Sequence, residues 1–239
     1  MSNILIMSGG MDIDFYIKGI FSYQLFGQTV WVTTTHISVL IVMMVLIAFC
    51  IIASRTMKKA TEVPGRLQNL LEIGVSALDS MVGDNMHEKA PAFRNYIGTV
   101  FVFILFSNLS GLLGIRPPTA DYGVTLALAV FIFILLNVGE FKYHKPLGYL
   151  KNLFKPMPAF FPLNLIGKFS YVISLSLRLF ANLLSGLIIM ALVYALLGSV
   201  AYAWPAFLHG FFDVFVGAIQ AYIFCMLSMN YMYDAVGEG

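Results

Sequence analysis

The chain has 239 residues, 59% hydrophobic and only 11% charged, and a mean hydropathy of +0.85; soluble domains carry roughly 25% charged residues, so this composition excludes one and indicates an integral membrane protein. The net charge of +2 comes from basic residues scattered among polar linkers, which gives no footprint for nucleic acid. Cys50 and Cys225 fall in separate apolar runs and read as packing thiols, neither disulfide nor metal pair, and no cofactor is implied.

The opening stretch MSNILIMSGGMDIDF lacks the basic start and continuous apolar core of a signal peptide, so the N-terminus is expected to be retained. A bilayer core about 30 Å thick needs roughly 20 apolar residues in a helix. Five segments meet that length, at 30–54, 95–115, 122–143, 163–197 and 205–233. The sequence therefore predicts an all-α membrane protein forming one integral domain over 1–239. Between the first two spans, Leu67, Leu70, Leu71, Leu78, Met81 and Val82 recur at helical spacing while Arg66, Glu72, Asp79 and Asp84 occupy other positions. That pattern predicts an amphipathic helix over 63–86, lying on the membrane surface.

After the second span the loop RPPTAD stops the helix with paired prolines. The proline-rich segment KPLGYLKNLFKPMPAFFP after the third reads as an interfacial connector. The last two spans form a hairpin: Gly198 suits a helix end, Pro205 a first turn, and Tyr202 and Trp204 an interfacial belt. The fourth span is too long for the bilayer, about 50 Å at 1.5 Å per residue, and must tilt or emerge.

Lys and Arg set the orientation. Arg55, Lys58, Lys59, Arg66, Lys89 and Arg94 follow the first span, and Lys142, Lys145, Lys151 and Lys155 follow the third, whereas the intervening loops hold Arg116 alone. The positive-inside rule then places the N-terminus outside and the C-terminus, MYDAVGEG, in the cytoplasm.

One arginine interrupts the fourth span in SLSLRLFANLLSG. A guanidinium in a membrane is costly and cannot escape by losing its proton. Ser170, Ser174, Arg178, Asn182 and Ser185 follow at spacings that share one helix face, and His209, Asp213, Gly217 and Gln220 do the same in the fifth span. Two polar stripes of this kind predict contact with water or charge. Folding the hairpin about residues 201 and 202 sets Arg178 level with Cys225 and Asp213 level with Met190. That separates Arg178 from Asp213 by about 18 Å along the axis and leaves Gln220 as the nearer polar group. Arg178 and Asp213 are thus each expected to lack an oppositely charged partner within the chain.

The stretch SLSLRLFANLLSG resembles the signature of subunit a of the bacterial-type FoF1 ATP synthase, as do PPTADYGVTLALA, PLNLIGKFS and FVGAIQAYIFCMLSMNYMY, so the likeness runs from about Glu62 onward. The resemblance implies a multi-pass protein of the bacterial plasma membrane with no catalytic site of its own. Its partners would be a ring of c subunits, peripheral-stalk b subunits, the rest of the complex and membrane lipid. It makes Arg178 the essential arginine facing a rotor carboxylate, and Asn182 and Gln220 its polar neighbours. Asp213 matches a position that often carries His or an acid. Ions, H⁺ or Na⁺, would enter from outside past Asp213 and Asn182 and leave to the cytoplasm past Ser174, Ser170 and Lys168. Three departures stand out: Ala181 for a usual Gly, Leu187 where many members have an acid or His, and Lys168 for a common Glu. A secondary transporter would show internal repeats and broken helices. A metalloprotease would need more than His209 and Asp213 as ligands. Neither pattern is present in the sequence.

Overall fold

The computed structural model describes residues 19–25, 28–60, 64–87, 90–154, 160–197 and 204–237. The expectations for the extreme N-terminus and for Gly198 and Tyr202 in the last turn fall outside these residues. Strands β1 (Gly19–Leu25) and β2 (Gln28–Thr33) pair antiparallel, with Ser22 opposite Trp31 and Leu25 opposite Gln28. Helix α1 (Thr34–Lys58) follows directly. The first helix therefore starts four residues later than the hydropathy suggests, because Val30 to Thr33 belong to the strand. β-Branched and aromatic residues favour that geometry. Thr33 then caps the helix, its Oγ1 lying 2.8 Å from His36 Nδ1. Only Thr35, Ser38 and Val42 of α1 are buried, so this helix stands at the periphery.

Helix α2 (Arg66–Met86) bears out the amphipathic pattern as a helix, but its apolar stripe divides. Leu71, Val82 and Met86 enter the core, while Leu67 and Leu70 stay exposed. Helix α3 (Ala90–Leu109) passes into a 3₁₀ turn at Ser110–Leu113. The turn closes on Gly114 at φ +69°, a left-handed conformation that an L side chain resists. A second 3₁₀ turn, Pro118–Ala120, leads to α4 (Tyr122–Leu153), where Asp121 Oδ1 accepts the Gly123 N–H at 3.0 Å. Helix α4 runs through Pro146, so the first part of the expected connector is helical. A proline costs one backbone bond there without ending the run.

Helix α5 (Phe161–Leu197) spans 37 residues. The final helical run has three parts: α6 (Trp204–His209), a π-helical segment Gly210–Val216, and α7 (Gly217–Gly237). Among the described residues five helices are long and apolar enough to cross a membrane: Thr34–Lys58, Pro91–Leu113, Tyr122–Lys142, Phe161–Tyr194 and Phe207–Ala235. The all-helical membrane architecture is as the sequence indicates, with the β-hairpin added before it. The core lies where α3, α4, α5 and α7 meet, around Ile97, Ile104, Ile132, Leu179, Phe224 and Met229.

Candidate functional site

Helix α5 buries one side and bares the other. Tyr171, Val172, Leu175, Leu179, Leu183 and Met190 point into the core. Ser170, Ser174, Arg178, Asn182 and Ser185 are all exposed, as are Ile173, Leu177 and Leu192 among them. A helix repeats every 3.6 residues, so these form one continuous outer face, polar in the middle and apolar toward both ends. Arg178 sits near the centre of the span Phe161–Tyr194. Among the described residues it has no ion-pair partner, in line with the sequence, and no hydrogen-bond partner either, although Gln220 was the nearer polar group expected for it.

The polar stripe of the last helix turns the opposite way. Gln220 is buried at 2% exposure and accepts a hydrogen bond at its Oε1 from Asn182 Nδ2 at 2.6 Å. Its own Nε2 has no partner among the described residues. The contact joins 182 to 220, and Tyr194 OH lies 3.0 Å from His209 Nε2. Both pairs fall on the register obtained by folding the hairpin about 201 and 202. Gln220 thus bonds Asn182, the arginine's neighbour one turn along, and Arg178 itself is left free.

Asp213 does not lack a partner. Its Oδ2 lies 2.7 Å from His209 Nδ1, one turn before it, which corrects the expectation of an isolated acid. A carboxylate that is ionised only accepts, in which case Nδ1 is the donor of this pair and Nε2 is left to face the Tyr194 hydroxyl. The π-helical segment Gly210–Val216 holds Asp213 near its middle. Such segments widen a helix and re-aim its side chains.

The same face of the last helix meets α3 and the 3₁₀ turn after it at two glycines. A Cβ on Gly111 would stand 3.0 Å from the Asp213 carboxyl carbon, and one on Gly217 would stand 2.9 Å from Asn108 Cβ. Asn108 then uses its whole amide: Nδ2 donates to the Gly217 carbonyl at 2.9 Å, and Oδ1 accepts from Thr119 Oγ1 at 2.8 Å. This lock ties α3, the proline loop and α7 together beside Asp213.

Lys168 is placed elsewhere. Its Nζ donates to Glu140 Oε2 of α4 at 2.7 Å, with side-chain exposures of 23% and 5%. The site residues read from sequence therefore separate into three places: Asp213 at one level, Arg178, Asn182 and Gln220 at the next, Ser170 and Lys168 at the third. Ser174 lies one turn from Arg178.

The profile of the family described as ATP synthase A chain matches residues 36–233. The chain belongs to the ATP synthase A chain family. A relative named ATP synthase subunit a, sodium ion specific, from Propionigenium modestum is 34% identical over 224 residues, covering 87% of this chain and 75% of its own length. Proteins named ATP synthase subunit a from Geotalea daltonii and Geotalea uraniireducens are 35% and 36% identical, over 204 and 200 residues. They cover 83% and 81% of this chain and 86% and 85% of their own. With five spanning helices, this ATP synthase A chain family member is a multi-pass membrane protein.

Four groups escaped the sequence reading as parts of the site: Tyr194, His209, Asn108 and Glu140. His209 had a signal, its i, i+4 spacing from Asp213. Glu140 had another, a carboxylate inside the third span. Asn108 and Tyr194 look like ordinary span residues until their partners from distant segments are known.

Proposed function

We propose that this chain is the stator subunit of the Fo sector that carries the coupling ion, H⁺ or Na⁺, to and from a rotating ring of c subunits. The observation that carries the reading is Arg178: a guanidinium at the centre of a membrane span, on an exposed face, with no partner among the described residues. A charge left so in hydrocarbon costs about 2.5–3.5 kcal/mol or more. A carboxylate on another chain offsets that cost. The exposed α5 face, with small residues flanking the arginine, suits the surface of a helical ring.

In this reading ions enter from outside through an aqueous half-channel lined by Asp213 and Asn182, with His209 and Tyr194 at its outer end. They neutralise a rotor carboxylate, which can then rotate into lipid. A second half-channel past Ser174, Ser170 and Lys168 opens to the cytoplasm. Arg178 divides the two. Its Coulomb attraction favours the ionised rotor carboxylate, so each arriving site releases its ion, and its charge repels cations that would otherwise leak between the paths. Each charge moved yields about 2.3 kcal/mol per 100 mV. The positive-inside rule sets the N-terminus outside and the C-terminus in the cytoplasm. Helix α2, with Leu67 and Leu70 bare, lies along the membrane surface, and peripheral-stalk b subunits hold the chain against torque. The chain has no catalytic site of its own.

The test is Arg178→Ala in the reconstituted complex. Assembly is expected to stay intact, because alanine suits a helix, while ATP-driven ion pumping is lost. Arg178→Lys should fail nearly as badly, lacking the planar fork. Normal pumping by an assembled Arg178→Ala complex would end this reading.

A further inference from the structure

The five spans contain two acidic side chains that are not exposed, among the described residues: Asp213 and Glu140. Their levels bracket the arginine. Glu140 pairs with Lys168, ten residues before Arg178, so it lies about 15 Å from the arginine along the axis of α5. His209 pairs with Tyr194, which puts Asp213 level with residue 190, about 18 Å away on the opposite side. One carboxylate thus stands on each side of Arg178 along the membrane normal.

A buried ion pair is poor evidence of a stability role, because apolar residues at the same place often serve as well or better. In a membrane span the balance is harsher, and ionisable groups there mark ion paths. The geometry fits such a path. Glu140 itself is buried at 3% exposure, but its partner is not: the Lys168 side chain keeps 23% of its surface, on the side of α5 that faces α4 and at the level of Ser170. Only one carboxylate oxygen, Oε2, is engaged by the lysine.

We propose that Glu140 is the ion-accepting carboxylate of the cytoplasmic half-channel, with Lys168 as its positioning residue. This rests on the reading of Arg178 above. The coupling cation released from the rotor passes the level of Ser174 and Ser170, crosses to Glu140 at the half-exposed Lys168, is held by the carboxylate, and leaves to the cytoplasm; no bond other than the O–H or O–Na⁺ contact forms or breaks, and the carboxylate is regenerated. The acid on this side therefore comes from α4, although the ion-facing serines and Arg178 belong to α5.

The experiment uses the intact complex in proteoliposomes. Passive cation flux through the membrane sector, stripped of its soluble ATPase part, is driven by an imposed potential and read by a pH-sensitive dye and by radioactive Na⁺ uptake. Glu140→Gln/Lys168→Gln removes both charges of the pair together. It should assemble, yet conduct about tenfold or more slowly, the range for loss of a positioned proton-transfer group. Formate added on the cytoplasmic side should restore part of the flux, and formate on the outer side should not. Lys168→Gln alone should conduct faster than the double variant. Where the amide pair does not assemble, the apolar pair Glu140→Leu/Lys168→Met takes its place in the same assay. Flux within twofold of wild type, or rescue only from the outside, overturns the proposal and leaves the pair a packing contact. If Arg178→Ala uncouples the complex while the neutral pair conducts normally, Glu140 alone is wrong; if Arg178→Ala still pumps, the function reading falls first.

Discussion

Gly217→Ala tests the close approach of α7 to α3. The added Cβ would sit 2.9 Å from Asn108 Cβ, well inside van der Waals contact. The obstacle is an atom fixed to the α3 backbone, so no rotamer change relieves it, and the helices must part. Forcing extra volume into a packed interior costs about 1–3 kcal/mol. Separation also stretches the 2.9 Å bond from Asn108 Nδ2 to the Gly217 carbonyl, a further loss of about 1 kcal/mol. The sum is roughly 2–4 kcal/mol, which at about 2–4 °C per kcal/mol for a chain of this length lowers the melting temperature by roughly 5–15 °C. Thermal unfolding of the purified subunit in detergent, followed by tryptophan fluorescence or thiol exposure at Cys225, measures it. The companion variant Asn108→Ala/Gly217→Ala forfeits both Asn108 bonds yet keeps the Cβ clash, and should be less stable than Gly217→Ala alone. A Gly217→Ala protein that melts within one degree of wild type would refute the steric argument.

Gly111→Ala pushes instead on the Asp213 carboxyl group, 3.0 Å from the new methyl; ion-driven ATP synthesis should fall several-fold while assembly, read by co-purification of the complex, changes little. Asp213→Asn should slow synthesis more than it harms assembly, and Asp213→Glu should keep more activity than Asn. His209→Ala removes the 2.7 Å partner of Asp213, and should slow synthesis in the same direction; equal rates in all three would show that this cluster serves only packing. Asn182→Ala strips Gln220 of the bond at Oε1, when Nε2 is already without a partner. The buried amide then costs about 1–3 kcal/mol, to be read as a lower melting temperature that Asn182→Ala/Gln220→Leu partly recovers.

The spans were legible because hydropathy and bilayer thickness leave few choices, and the hairpin register was legible because two antiparallel helices sharing a short turn must pair by simple reflection. Asn182 meets Gln220, and Tyr194 meets His209, on that count alone. The exposed α5 stripe followed from its period. Which way the last helix turns its own stripe did not, because that depends on α3: Gly111 and Gly217 admit the close approach, and a glycine in a sequence does not say what fills its empty side. The pairing of Asp213 with His209 had a signal in their i, i+4 spacing, whereas the π-helical segment that holds Asp213 had none. The start of α1 was displaced by a strand whose β-branched residues are as apolar as a span, and hydropathy cannot separate the two. Glu140 and Lys168 lie 28 residues apart on different helices, where a single sequence carries no pairing signal.

The π-helical segment Gly210–Val216 makes the number of residues in the last helix matter as much as their identity. Such a segment accommodates a residue more than the α-helical path over the same length requires. Deleting a single residue between 210 and 216 would let the run close up as ordinary α-helix, with every hydrophobic side chain downstream still present. Because the extra residue is absorbed over the same length, the helix beyond the segment would keep its phase, and Gln220 would still meet Asn182; the side chains within the segment, Asp213 among them, would be the ones re-aimed. A gap of one in this stretch is therefore silent for the helix beyond it and is felt inside the segment, at the Asp213 carboxyl group and its approach to Gly111.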